Sequence, residues 1–199
     1  MLFRSDAYRQ ITGPGAPWEL RDLQRDGRSY KAFRNVPANM RELFAPARAH
    51  GDREFLVYEG ERWSFARLFA LADAISGALL AEPGLTAGDR VAIAMRNYPE
   101  WMAAFIGITS MGAVAVPLNS WGRTEELEFA LDDAGARLVF CDQQRLDYLA
   151  PRLGERGSRV IVARPSSDVL PAHTRSLEAF TAPHAGAGAP DTPIASDEI

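Results

Sequence analysis

Short apolar runs and amphipathic segments alternate strictly between residues 91 and 163. The apolar runs predict buried strands at 91–95, 113–116, 138–141 and 160–163. The segments between them predict helices at 98–111, 125–134 and 144–153. Because helices that connect parallel strands form right-handed crossovers, the pattern predicts an α/β fold with helices flanking a doubly wound, mostly parallel sheet. No regular element is predicted after Pro165.

Capping residues set the predicted ends of the helices. Ser64 is placed to cap the helix that follows it. Asn97, with Glu100 three residues later, fits a capping box for the next helix. Thr124 is predicted to cap the third helix and Gly135 to close it.

The composition changes along the chain and indicates three regions. Residues 1–36 are rich in Arg, Gly and Pro and have only short apolar patches, so they predict an extension that packs on a domain rather than building one. Residues 37–181 form the predicted α/β subdomain, which begins with a small helix at 40–47 and a small hairpin at 55–63. Residues 182–199 are mostly Ala, Gly and Pro and predict a linker.

Charge and cysteine content exclude several classes of protein. The chain has 199 residues, a net charge of −4 and no basic run, so nucleic-acid binding is not expected. Cys141 stands alone, which rules out a disulfide framework and predicts a reducing, cytoplasmic location. No apolar stretch reaches the roughly 18 residues of a spanning helix, so no integral membrane segment is expected.

Few residues have the spacing that catalysis or metal binding needs. The histidines, His50, His173 and His184, lie far apart and predict no metal site. No Gly-x-Ser-x-Gly elbow and no glycine-rich loop between a strand and a capped helix occurs, which argues against a hydrolase triad or a complete nucleotide site. We therefore expect no catalytic residue within this chain.

Three motifs follow one another in a familiar order. Residues 88–93 read Gly-Asp-Arg-Val-Ala-Ile, residues 97–101 read Asn-Tyr-Pro-Glu-Trp, and residues 111–119 read Met-Gly-Ala-Val-Ala-Val-Pro-Leu-Asn. Their order and spacing resemble the N-terminal region of the AMP-forming, adenylate-forming superfamily, which includes acyl-CoA synthetases, luciferases and the adenylation domains of peptide synthetases. A weaker match covers residues 63–68, where Arg67 stands in place of the usual Glu. The resemblance extends over residues 39–199.

The resemblance implies the activity of a parent enzyme, an ATP-dependent ligase that joins a fatty or other carboxylic acid to CoA with the help of Mg²⁺. It also implies that the phosphate loop, the adenine site and the catalytic lysine lie beyond Ile199. The chain would then be a truncated N-terminal subdomain that is inactive alone and binds neither ATP, CoA nor Mg²⁺ by itself. The acid, ATP and CoA would be bound through the missing C-terminal part. A subdomain cut in this way exposes a sheet edge and apolar surface, which predicts self-association.

The run at 116–121, Val-Pro-Leu-Asn-Ser-Trp, is most similar to that of bacterial fatty-acid or medium-chain acyl-CoA ligases. The resemblance places the loop after this strand near the mouth through which CoA enters. Trp121 and Arg123 are therefore the candidate CoA-binding residues, with an aromatic ring for adenine and a cation for phosphate.

Two alternatives remain open from the sequence. One is a fragment of another adenylate-forming enzyme, either an acyl-AMP ligase or an amino-acid adenylation domain. The other is a self-contained, flavodoxin-like binding or interaction module, which would need polar or acidic loops at every strand end. The coding sequence after Ile199 discriminates them, because a loop rich in Thr, Ser and Gly indicates the ligase and a stop codon indicates the module.

Overall fold

The computed structural model describes residues 4–152 and 159–194. The chain divides into two compact units, Met1–Ala38 and Asn39–Ile199. No helix within the described ranges is both long and apolar enough to cross a bilayer.

The first unit contains a helix, α1 (Arg4–Thr12), and a hairpin of two antiparallel strands, β1 (Leu20–Arg25) and β2 (Arg28–Phe33). Asp26 and Gly27 connect the strands and both have positive φ, at 50° and 73°. Asp-Gly is a favoured pair for such a two-residue turn. The sequence analysis predicted only an extension here, because polar and apolar residues are mixed on both faces of the strands.

The second unit begins with a short helix, α2 (Met40–Phe44), and a 3₁₀ turn (Ala45–His50). An antiparallel hairpin follows, formed by β3 (Glu54–Tyr58) and β4 (Glu61–Ser64). The structure therefore confirms the predicted small helix and hairpin.

Five parallel strands form the central sheet. They are β5 (Arg90–Ala94), β6 (Val114–Pro117), β7 (Leu138–Asp142), β8 (Arg159–Ala163) and β9 (Thr174–Ser176). Their order is β6-β5-β7-β8-β9, and every neighbouring pair is parallel. This arrangement confirms that the four strands predicted from the sequence lie in one parallel sheet. The order changes direction between β5 and β7, which creates a topological switch point there.

Helices cover both faces of the sheet. They are α3 (Phe65–Leu80), α4 (Pro99–Ser110), α5 (Thr124–Ala134), α6 (Gln143–Leu149) and α7 (Leu177–Thr181). One apolar core joins α3, α4 and α7 to strand residues such as Ile93 and Phe140. A second core joins α5 and α6 to the neighbouring strand residues Ala92 and Val139. Successive side chains of a strand point to opposite faces, so each buried strand contributes to both cores and the sheet is doubly wound.

A glycine allows α3 and α4 to approach closely. A Cβ atom at Gly107 would lie 2.7 Å from Cγ2 of Ile75 and 2.9 Å from the carbonyl oxygen of Ala72. Ser76 Oγ donates a hydrogen bond of 2.8 Å to the Gly107 carbonyl oxygen across the same contact. Any larger residue at position 107 would force the two helices apart.

Two of the predicted helix caps are wrong, although both helices begin within one residue of the predicted position. Helix α4 is capped at Tyr98 and has Pro99 in its first turn, so Asn97 does not cap it. Proline suits this position because its missing N–H would have no partner inside the helix. Helix α5 is capped at Arg123, so Thr124 is its first residue rather than its cap.

The other predicted caps are confirmed. The Ser64 side chain accepts a hydrogen bond from the Arg67 backbone N–H at the start of α3. Gly135 closes α5 in the left-handed conformation, with φ at 61°. Glycine is favoured there because it has no Cβ to strain that conformation.

The chain after Pro165 is more regular than the sequence predicted. It forms β9, α7 and a short 3₁₀ turn (Ala182–His184). Further on, the Arg41 guanidinium donates hydrogen bonds of 2.6 and 2.7 Å to the carbonyl oxygens of Pro190 and Thr192. Residues 185–194 have no regular secondary structure, but Arg41 holds part of this segment against the second unit. Residues 195–199 of the predicted linker lie outside the described residues.

Glu82 links three elements at the amino end of the sheet. Its carboxylate accepts hydrogen bonds from Arg159 at 2.6 Å and from Arg175 at 2.5 Å, which ties the end of α3 to β8 and β9. Burial opposes ionisation of Glu82, but the hydrogen bonds from Arg175 and Arg159 outweigh it and lower the pKa below its ordinary value of 4.5.

We expect Glu82→Gln to lower the free energy of unfolding at pH 7 by about 1–2 kcal/mol, since both arginines are partly exposed. Because folding lowers the pKa of Glu82, the ionised carboxylate stabilises the fold above pH 4.5. This stabilisation is lost as the pH falls through the lower pKa that Glu82 has in the folded protein. Urea unfolding should therefore show a difference between the two proteins that shrinks below pH 4.5. Glu178→Gln, at an exposed position, is the control. A difference that stays constant with pH would contradict this role.

Candidate binding site at the carboxyl edge of the sheet

The carboxyl ends of β5, β6 and β7 meet at one edge of the sheet. Arg96 follows β5, Asn119 and Trp121 follow β6, and Asp142 ends β7. In doubly wound sheets, ligands bind outside the carboxyl ends of the strands at the switch point. The loops that carry these residues therefore form the candidate site.

Asp142 joins two strand ends across the switch point. Its Oδ2 accepts a hydrogen bond of 2.9 Å from the Arg96 backbone N–H. Its Oδ1 accepts one of 3.0 Å from the Arg145 backbone N–H and so caps α6. Only 3% of Asp142 is exposed. A buried carboxylate with these partners fixes the loop after β5 relative to the start of α6.

Arg145 supplies the counter-charge for Asp142. Only 2% of this residue is exposed, and its Nη1 lies 3.3 Å from both Asp142 carboxylate oxygens. Nη1 also donates to Oε1 of Gln144 at 2.9 Å, whereas Nε has no hydrogen-bond partner among the described residues. The pair holds the edge of the sheet together, and its two charges largely neutralise one another.

Trp121 presents its indole ring at the surface, with 72% of the residue exposed. Its backbone N–H donates to Oδ1 of Asn119 at 3.1 Å, which shapes the loop after β6. The guanidinium carbon of Arg96 lies 4.1 Å from the centroid of the Trp121 ring. This is the geometry of a cation–π contact, which can hold the exposed ring in place.

Arg123 is exposed at the start of α5. Its backbone N–H donates to Oε2 of Glu126 at 3.0 Å. Glu126 therefore supplies the carboxylate half of a capping box, which satisfies the backbone N–H of the cap residue Arg123. The Thr124 hydroxyl donates to the carbonyl oxygen of Tyr148 at 3.1 Å.

The structure thus places both sequence-predicted residues, Trp121 and Arg123, in the loop that follows β6. The sequence analysis missed Arg96, which contacts the Trp121 ring from the neighbouring strand end. Arg96 could have been proposed from the sequence, because it comes directly after a buried strand and so lies at the edge of the sheet where ligands bind. What periodicity could not reveal was that the β5 and β6 loops touch each other.

A cluster of aromatic and acidic side chains surrounds Arg164, directly after the end of β8. The Arg164 guanidinium carbon is 5.2 Å from the Tyr58 ring centroid and 5.3 Å from that of Tyr98. Its nitrogens form ion pairs of 2.7 Å with Glu61 and 3.0 Å with Glu100. Burial opposes the charge on Arg164, but the two carboxylates outweigh it and raise its pKa. The charge of Arg164 is therefore neutralised by carboxylates of the protein itself, so Arg164 is not a candidate for binding an anionic ligand.

This cluster corrects the role predicted for Glu100. Its Oε1 pairs with Arg164 instead of completing a capping box with Asn97, and its buried Oε2 has no hydrogen-bond partner among the described residues. A cavity of about 300 Å³ lies beside the cluster, between β3 and the start of α4. Apolar side chains such as Leu56, Trp101 and Met102 form much of its lining.

Other reactive groups do not form a catalytic arrangement within the described residues. Cys141 is buried, and burial raises the pKa of its thiol, so it is a poor nucleophile. No group of three potential metal-ligating side chains occurs in residues 4–152 and 159–194.

Comparison with known proteins identifies the family. Residues 43–198 match the model of the AMP-binding enzyme family, which is more than half of the chain. The chain therefore belongs to the AMP-binding enzyme family and corresponds to its N-terminal region, as the resemblance implied.

Several curated relatives match parts of the chain. An acyl-CoA ligase of Aspergillus fumigatus is 32% identical over 117 residues, which are 58% of this chain and 18% of the relative. A long-chain-fatty-acid–CoA ligase of Mycobacterium tuberculosis is 40% identical over 78 residues, 39% of this chain and 15% of the relative. Surfactin synthase subunit 1 of Bacillus subtilis is 29% identical over 123 residues, 60% of this chain and 3% of the relative. The chain thus spans less than a fifth of the length of each of these relatives.

Solved structures share the fold. An anthranilate CoA ligase in complex with anthranoyl-AMP superposes with a TM-score of 0.66 at 22% identity, over 80% of this chain and 30% of that one. The N-terminal domain of FACL13 from Mycobacterium tuberculosis superposes with a TM-score of 0.60 at 25% identity, over 80% of this chain and 40% of that one. These similarities confirm the predicted fold class.

Proposed function

We propose that the chain is the N-terminal part of an ATP-dependent acid–CoA ligase. In this reaction a carboxylate attacks the α-phosphate of ATP, pyrophosphate leaves, and the CoA thiolate then displaces AMP from the acyl adenylate. The observation that carries the proposal is the match of residues 43–198 to the AMP-binding enzyme family. We further propose that the parent enzyme is bacterial and works in the cytoplasm.

Among adenylate-forming enzymes, an acyl-CoA ligase is the branch that we favour. The relatives named as acyl-CoA or fatty-acid–CoA ligases are 32% and 40% identical over their matched segments, against 29% for the surfactin synthase subunit. Asn119 after the Pro-Leu pair supports the same choice, because peptide-synthetase adenylation domains usually have Asp there. An amino-acid adenylation domain or an acyl-AMP ligase remains the alternative within the superfamily.

The described residues do not fit ATP and Mg²⁺ by themselves. Residues 4–152 and 159–194 contain no cluster of three carboxylate, histidine or cysteine ligands, and no glycine-rich loop joins a parallel strand to a helix there. ATP and Mg²⁺ would be held by other parts of the enzyme, where the metal would neutralise charge on the phosphates. We assign no catalytic step to this chain.

The loop after β6 does fit part of CoA. The exposed Trp121 ring is steadied by Arg96 on one side and can stack on an adenine base. Arg123 lies two residues further on, where its exposed guanidinium can contact a phosphate group. We therefore propose that Trp121 and Arg123 line the CoA entrance.

We expect Arg123→Ala in the intact enzyme to raise the KM for CoA about tenfold or more, since a charge-assisted hydrogen bond to phosphate contributes roughly 1.5–3 kcal/mol. Acyl-adenylate formation should be unchanged, because CoA enters only in the second step. Steady-state kinetics with varied CoA, beside pyrophosphate exchange without CoA, measures both. Arg53→Ala removes another exposed arginine and serves as the control. An unchanged KM for CoA would rule out the contact.

A self-contained, flavodoxin-like module is the candidate from another class. The strand order β6-β5-β7-β8-β9 favours it, because the same order occurs in flavodoxin-like proteins. The test is to purify the intact product of the gene and assay CoA thioester formation from a panel of fatty and aromatic acids with ATP. Acid-dependent thioester supports the ligase, whereas a folded gene product that releases no AMP with any acid contradicts it.

A further inference from the structure

The hairpin of the first unit has one basic face with an apolar centre. In the antiparallel register, Leu23 lies opposite Tyr30 and Arg25 lies opposite Arg28. Arg21 is on the same face, since side chains two residues apart on a strand point the same way. Leu23 is 38% exposed and Tyr30 is 47% exposed. We call the surface formed by these five residues the basic face.

No residue between 5 and 38 is buried. Seven large hydrophobic residues are exposed there: Tyr8, Ile11, Trp18, Leu23, Tyr30, Phe33 and Val36. A two-stranded hairpin without a packed face is at best marginally stable in water. The hairpin therefore needs a surface to pack against.

Helix α5 has an outer face of the opposite charge. Phe129 is 71% exposed at the middle of the helix. Glu125 and Glu126 precede it by four and three residues, and Asp132 and Asp133 follow it by three and four. Residues at these spacings are neighbours on a helix surface, so four exposed carboxyl side chains surround the exposed ring. We call this surface the acidic face.

The two faces are complementary in both charge and pattern. Each has an exposed apolar centre, with arginines around one and carboxylates around the other. The whole sequence shows the same asymmetry, since residues 1–38 carry seven basic and four acidic side chains, a net charge of +3, whereas residues 39–199 have fifteen basic and twenty-two acidic, a net charge of −7. Apolar contact at the centre with charge pairs at the rim is the usual anatomy of a protein interface.

We propose that the basic face of one copy docks on the acidic face of a second copy. Two copies that exchange this contact reciprocally form a closed dimer with two equivalent interfaces. The proposal concerns assembly and does not depend on the ligase reaction. It also gives the self-association expected from the sequence a defined surface.

Sedimentation velocity of the 199-residue chain over a concentration series tests the contact. The variant R21E/R25E/R28E changes the charge of the basic face from +3 to −3, and E125K/D132K/D133K changes that of the acidic face from −4 to +2 while keeping Glu126, which accepts the Arg123 backbone N–H at the start of α5. Like charges then oppose each other, so each variant alone should have a dimer Kd raised at least about tenfold. An equimolar mixture of the two variants should recover a heterodimer, because the reversed faces are complementary again. The control D52K/E178K reverses two exposed carboxylates outside α5 and should dimerise like the wild type.

Salt provides a second readout. Dimerisation of the wild type should weaken between about 50 and 500 mM NaCl, because the Debye length shortens and the charge pairs at the rim are screened. A wild type that stays monomeric at every concentration in low salt overturns the proposal. A dimer that persists in both reversed variants overturns it as well. Flotation with phosphatidylserine vesicles by a protein that is otherwise monomeric would overturn the copy-to-copy contact and assign the basic face to a membrane surface.

Discussion

Asp142→Ala is expected to lower the free energy of unfolding by about 3–5 kcal/mol, among the largest effects of any single substitution in this chain. The change removes the acceptor for two backbone N–H groups, those of Arg96 and Arg145. It also leaves the buried Arg145 guanidinium without a carboxylate. An uncompensated buried charge costs far more than the pair contributes, so most of the loss comes from Arg145.

Thermal unfolding followed by circular dichroism should show a Tm lowered by roughly 6–20 °C for a chain of this size. Asp147→Ala removes an exposed carboxylate from the same helix and should change Tm little. The double variant D142A/R145L should recover part of the lost stability, because it removes the buried charge together with its partner. An Asp142→Ala variant whose free energy of unfolding is lower than that of the wild type by less than about 1 kcal/mol would contradict this account, because ordinary substitutions already cost roughly 0.5–3 kcal/mol.

The isolated chain is expected to catalyse no ATP–pyrophosphate exchange with any carboxylic acid. Exchange requires a site that holds the triphosphate and its metal ion while the carboxylate attacks. Residues 4–152 and 159–194 contain no group of three side chains that could ligate a metal ion and no glycine-rich loop that joins a parallel strand to a helix. The expected rate is therefore that of the buffer blank.

The measurement uses radiolabelled pyrophosphate, ATP and a panel of acids from acetate to palmitate. The intact gene product is the positive control, assayed at the same molar concentration as the chain. Acid-dependent exchange by the isolated chain above the blank would contradict the expectation and would show that residues 1–199 contain a complete adenylation site.

The parallel sheet could be predicted because its strands are buried on both faces. A strand of this kind reads as a continuous apolar run, as residues 91–95 and 160–163 do, and the amphipathic segments between such runs fix the crossovers. Ser64 and Gly135 were equally informative, since a hydroxyl cap and a left-handed glycine act through local geometry alone.

The missed elements are held by long-range contacts instead. Strand β9 is only three residues long and reads Thr-Arg-Ser, and its place in the sheet depends on pairing with β8. The predicted capping box of Asn97 and Glu100 is not formed, because the helix begins at Pro99 with Tyr98 as its cap and because Glu100 pairs with Arg164, sixty-four residues away. No periodicity in the sequence encodes such a partner.

Only part of the candidate site could be predicted from the sequence, because its other contacts are also long-range. Trp121 and Arg123 follow a buried strand, and a position after a strand end can be read from sequence. The contact of Arg96 with the Trp121 ring and the bridge from Asp142 to the loop after β5 depend on strand order. That order, β6-β5-β7, becomes visible only when the sheet is assembled.

Transfer of ¹⁸O from a labelled carboxylic acid tests the proposed ligase function most directly. The intact gene product would be incubated with doubly labelled acid, ATP and CoA, and the nucleotide products would be analysed by mass spectrometry. If the carboxylate attacks the α-phosphate, one labelled oxygen must appear in AMP and the other must remain in the acyl-CoA. Unlabelled AMP, or label in inorganic phosphate together with ADP, would contradict adenylate formation and with it the proposed function.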